Sequence, residues 1–192
     1  MKSHLVAVLV LAGCGSNSAK TVDAAPGDTG GTVDGPPATM SLTSTAFTEG
    51  GAIPIANTCK GANTSPALAW TGAPSGTQSF AVVLTDLSLT PPLVHWVIYD
   101  IPGTATGLPA WVENVYAPGS VSGAHQTISV HAPTVGYYGP CPPAVHSYQF
   151  AIYALNAMTL PGLSAQSTRP EAVAEIQTHR LANGTLTGMF TP

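Results

Sequence analysis

Three apolar runs constrain this chain more than any other feature: FAVVLTD ending at Asp86, LVHWVIYDI from Leu93 to Ile101, and YQFAIYAL from Tyr148 to Leu155. They are rich in Val, Ile, Tyr and Phe and are separated by turn chemistry, which marks them as β-strands. None alternates strictly between apolar and polar side chains, so both faces of each strand require cover. SLTSTAF before Gly50-Gly51, SPALAW before TGAPSGTQ, and a closing TLTGMF read as further strands. Helical periodicity appears once, near the end. Ser167 or Thr168 can act as N-cap, Pro170 and Glu171 fall in the first turn, and Ala172, Ile176 and His179 share a face. The helix is expected to end near Ala182, before Gly184. The pattern predicts a mainly β sandwich with one C-terminal helix.

Chain length allows one domain with a substantial core plus short appendages, 192 residues in all. Charged residues are only 7% of the sequence, while 20 glycines and 18 prolines suit strands and turns better than helices. After residue 40 the cations are Lys60, Arg169 and Arg180, too few to build a nucleic-acid surface. Two aspartates, Asp86 and Asp100, lie beyond that point, each beside an apolar run where an unpaired carboxylate would be costly to bury.

The first residues, MKSHLVAVLVLAGCGSNS, have a basic n-region at Lys2 and an apolar stretch from Leu5 to Ala12, too short to span a bilayer. Leu11-Ala12-Gly13-Cys14 resembles a bacterial lipobox. It implies a signal peptide over residues 1–13, lipidation of Cys14, and anchorage to a membrane by several acyl chains. A simple secretory signal cut elsewhere is the alternative, and it too exports the protein. Gly15 after the cysteine points to the outer membrane of a bacterial cell envelope. Residues 14–39 then form the lipidated cysteine and a flexible tether rich in Gly, Pro and Asp, and the folded domain occupies residues 40–192. With Cys14 lipidated, Cys59 and Cys141 remain as a pair in a compartment that permits oxidation, so a disulfide is expected. Two buried free thiols are the alternative.

Asp86 closes one strand run, His95-Trp96 sits inside the next, and His146 and Tyr148 follow the rigid segment GPCPP. A carboxylate, two imidazoles and a phenol at strand ends can converge on a small anion-binding cavity. Imidazole and backbone N–H groups can donate to an anion where Lys and Arg are scarce. Two histidines and a carboxylate are also the donor set of a non-haem iron site. Hydrolytic chemistry would need a nucleophile beside a base, and no GxSxG turn is present.

In order and spacing, NTSPALAW from Asn63, APSGTQSFAVVLTD, VHWVIYDIP, GPCPP from Gly139 and HSYQFAIYAL from His146 together resemble the phosphatidylethanolamine-binding protein family. The likeness is to its periplasmic, bacterial Raf-kinase-inhibitor-like branch, and it covers residues 41–192. The resemblance implies a large central antiparallel sheet packed on a smaller one. It also implies a pocket for phosphoryl or phospholipid-headgroup-like ligands built from Asp86, His95, Pro142, Pro143, His146 and Tyr148, without catalytic residues, metal or cofactor. Periplasmic members resemble this chain in their cysteine positions, which supports the Cys59–Cys141 bridge. The alternative function is a protein-interaction module that inhibits a protease or kinase in the envelope. Three departures stand out. Ser88 occupies the second acidic position, Ala144-Val145 is shorter than the usual segment, and SVHAPTVGYYG replaces the usual NDFG-like stretch. His125 and His131 match no family position and are expected in loops, with His131 near the pocket rim. Asp100 is expected to form a turn, and Trp70 and Trp111 to pack.

Overall fold

The computed structural model describes residues 38–192. The expected signal peptide, Cys14 and the expected tether as far as residue 37 lie outside the described residues. Ala38–Thr39 (β1) pairs in parallel with Ala182 and Asn183.

The predicted strand runs become Ser41–Ser44 (β2), Leu68–Thr71 (β3), Ser79–Asp86 (β4), Leu93–Pro102 (β5), His146–Leu155 (β8) and Arg180–Phe190 (β9). Two-residue strands at Gly107–Leu108 (β6) and His125–Gln126 (β7) complete the sheets. The larger sheet has the order β1-β9-β8-β4-β5-β7, and the smaller one β2-β3-β6. All pairings are antiparallel except the short β1–β9 edge pair.

Both faces of the central strands are covered, as their unbroken apolar runs require. Phe80, Val82 and Leu84 of β4 point into a core shared with Leu42, Leu68 and Trp70 of the smaller sheet. Ala81 and Val83, on the opposite face, pack with Leu160, Ala172 and Ile176 beneath the helix Arg169–His179 (α1). Thr168 caps that helix in a reciprocal capping box with Glu171, and Pro170 falls in its first turn.

The helix stops at His179 rather than near Ala182, because the chain from Arg180 pairs with the edge of β8. Gly184 is therefore no helix cap. It sits opposite Ile152 within β9, where a Cβ would run into the Met40 carbonyl. Three other expectations also change. Trp111 is 66% exposed with φ of 68°, rather than packed. Asp100 lies buried inside β5 with φ of 57°, and His125 lies in β7 rather than in a loop. Their side chains meet, His125 Nδ1 standing 3.0 Å from Asp100 Oδ2, while Asp100 Oδ1 accepts from the Leu160 N–H. Burial raises the Asp100 pKa despite these hydrogen bonds.

Candidate functional site

β8, β4 and β5 are neighbours, so residues at one end of these three strands are brought side by side. Asp86, the last residue of β4, is paired with Tyr148 on one flank and Leu93 on the other. Opposed residues of an antiparallel pair share a face. The register between β4 and β5 then slips: Leu84 pairs with Trp96 but Thr85 pairs with Val94. His95 is the extra residue of this irregularity, and a bulge of this kind re-aims a side chain that regular alternation would place otherwise.

The Asp86 side chain is buried and engaged at both oxygens. Oδ2 accepts from His146 Nδ1 at 2.7 Å, and Oδ1 accepts from the Ser88 N–H at 2.9 Å. His95 is 5% exposed, and its Nδ1 lies 3.2 Å from the Tyr138 carbonyl. A carbonyl only accepts, so this nitrogen carries the proton and Nε2 is left free. Burial lowers the His95 pKa; the hydrogen bond to Tyr138 and the nearby Asp86 charge oppose the shift without overcoming it. Tyr148 lies between the two imidazoles, edge-on to His95 with ring centroids 5.3 Å apart and stacked on His146 at 6.3 Å. Burial, and then the Asp86 charge, raise its pKa.

The proline segment forms the adjoining wall. The Cys59–Cys141 disulfide joins positions 82 residues apart, with Cα atoms at 5.3 Å. Cys59 N–H also donates to the Pro140 carbonyl, and Gly139 N–H to Asn63 Oδ1. Gly139 is required by close approach, since a Cβ there would meet the Asn57 carbonyl. Thus the NTSP segment and the GPCPP segment hold one another.

Together these groups line a cavity of about 340 Å³. Asp86, His95, His146, Tyr148, Pro142 and Pro143 all line it, so all six predicted site residues converge. Residues not singled out in the sequence also contribute: Leu89, Leu93, Val130 and Tyr138. His131 does reach the rim, where its ring stacks on Tyr138 with centroids 5.0 Å apart. Ser88 is turned to another use, its hydroxyl accepting from the Ser147 N–H. Among the described residues, no group of three or more His, Cys, Asp and Glu side chains is arranged to hold a metal ion.

The family model described as phosphatidylethanolamine-binding protein matches residues 43–191. The UPF0098 protein of Methanothermobacter thermautotrophicus is 36% identical over 155 residues, 79% of this chain and 98% of that protein. LppC of Mycobacterium tuberculosis, named as a lipoprotein, is 34% identical over 185 residues, 89% of this chain and 86% of that protein. Among solved structures, Escherichia coli YbcL, titled a member of the mammalian PEBP family, aligns with a TM-score of 0.71. It is 28% identical, over 80% of this chain and 98% of that one. A homologue from Chlamydia trachomatis aligns with a TM-score of 0.68 at 27% identity, with the same coverage. On the match of 43–191, the two-sheet architecture and these relatives, the chain belongs to the phosphatidylethanolamine-binding protein family.

Proposed function

We propose that this is an exported binding protein whose cavity takes a small anionic, phosphoryl-type ligand without transforming it. One observation carries the reading: the convergence of Asp86, His146, His95 and Tyr148 on one small cavity walled by Pro142 and Pro143. Each imidazole has Nδ1 committed to a protein acceptor, so Nε2 is its one uncommitted nitrogen. Together with the Tyr148 hydroxyl, these polar groups suit an oxyanion. The lining contains no serine or threonine, and its one cysteine is held in a disulfide, which favours binding over nucleophilic catalysis.

The proposed setting is the bacterial cell envelope, with Cys14 carrying the lipid anchor and the outer membrane as its site. The LppC relative supports this, because its match covers 89% of the chain and so extends beyond residues 38–192. Calorimetric or NMR titration with phosphate and phosphoethanolamine tests the function in wild type and in His95→Ala. Saturable binding that is weakened in the variant is expected, and indistinguishable titrations would overturn the reading.

A further inference from the structure

The cavity wall restricts which oxyanion it can accept. No lysine or arginine lines it, and Asp86 is its sole carboxylate. Both Asp86 oxygens are already engaged, one by His146 and one by the Ser88 N–H. Ser88 itself bonds the backbone of Ser147 and brings no second negative charge. An ammonium group entering this site would lose its water shell and find a single carboxylate, whose charge already serves His146 and the Ser88 N–H, to offset the loss.

Outside this polar floor lies an apolar collar. Leu89, 38% exposed, stands with Leu93, Val130 and Pro143 around the floor, and the stacked His131–Tyr138 pair adds a flat aromatic wall. Such a collar gains free energy only from apolar surface on the ligand.

Resting on the binding reading above, we propose that the cavity selects an oxyanion borne on an uncharged apolar arm, such as a hydrophobic phosphate monoester, over a zwitterionic headgroup. This chemistry occurs both in soluble esters and in phosphatidic-acid-like lipids.

Titration of the full chain near pH 6 with phenyl phosphate, methyl phosphate and phosphoethanolamine tests the inference. Phenyl phosphate is expected to bind about tenfold more tightly than methyl phosphate. Phosphoethanolamine is expected to bind no more tightly than methyl phosphate, and Leu89→Asn to narrow the phenyl-to-methyl ratio. Tighter binding of phosphoethanolamine than of methyl phosphate, or equal affinities for the phenyl and methyl esters, overturns this inference alone. Failure of all three probes to bind overturns it together with the binding reading. A vesicle arm distinguishes the sources. Retention of Cys14→Ser protein on phosphatidylcholine vesicles containing phosphatidic acid, beyond that on phosphatidylcholine alone, identifies a lipid. Phenyl phosphate binding without such retention identifies a soluble ester.

Discussion

His146 Nδ1 stands 2.7 Å from Asp86 Oδ2, and this contact joins the first residue of β8 to the last residue of β4 beneath the cavity. The Asp86 side chain is only 3% exposed, so its charge depends on His146 and the Ser88 N–H for compensation. Replacing it with the isosteric amide leaves the volume unchanged but removes a charge-assisted acceptor. Asp86→Asn is expected to lower stability by about 1–3 kcal/mol and to weaken anion binding by freeing the His146 ring. Urea denaturation and NMR of the His146 Nδ1 proton check the two effects separately.

Cys59 and Cys141 close a long loop, 82 residues in sequence separation. In the chain-entropy model a loop of that length contributes about 4–5 kcal/mol. The double variant Cys59→Ala/Cys141→Ala is expected to lose most of this. It is also expected to bind anions less tightly, because Cys141 and the neighbouring Pro142 and Pro143 line the cavity. Denaturant midpoints of wild type, reduced wild type and the double variant give the measurement. Equal stability of all three would remove the bridge from the energetics of the site.

The strands were legible because their apolar runs reflect burial on both faces, which is a local pattern with one structural solution. Thr168, Pro170 and Glu171 marked the start of α1 for similarly local reasons. Its end was not legible: Gly184 has the chemistry of a helix stop, but pairing with Ile152 and close approach to Met40 determine its role. The polar floor was readable from the family motifs. The His95 bulge was not, since one extra residue in β5 leaves the apolar pattern intact. Nor was the rim, where Arg169 of α1 donates to the carbonyls of Ile128 and Ser129, just before Val130 and His131. Contacts across some 40 residues leave no trace in local composition.

Cys14 lies outside the described residues, and its lipidation has its own test. A lipobox cysteine supplies the thiol for the first acyl chain, and serine cannot replace it. Cys14→Ser is expected to release the protein from membranes or to leave the signal peptide uncleaved. Membrane fractionation and the mass of the intact protein report both outcomes, and unchanged partitioning and processing would count against the anchor.

Burial lowers the His95 pKa below its unfolded value of about 6.5. Between the folded and unfolded values the unfolded chain binds more protons than the native one. Stability attributable to this residue is therefore intact above about pH 6.5 and is lost as pH falls toward the folded value. His95→Gln is expected to flatten that part of the profile, and the difference between the two proteins cancels the separate contribution of buried Asp100. Ligand binding has the opposite sign. An oxyanion beside the ring favours the imidazolium, so binding takes up a proton and affinity rises as pH falls from 8 to 6. Phenyl sulfate, whose charge is constant over this range, isolates the protein's own titration. Urea midpoints and phenyl sulfate affinities at matched pH values are expected to move in opposite directions in wild type, and both responses to flatten in His95→Gln.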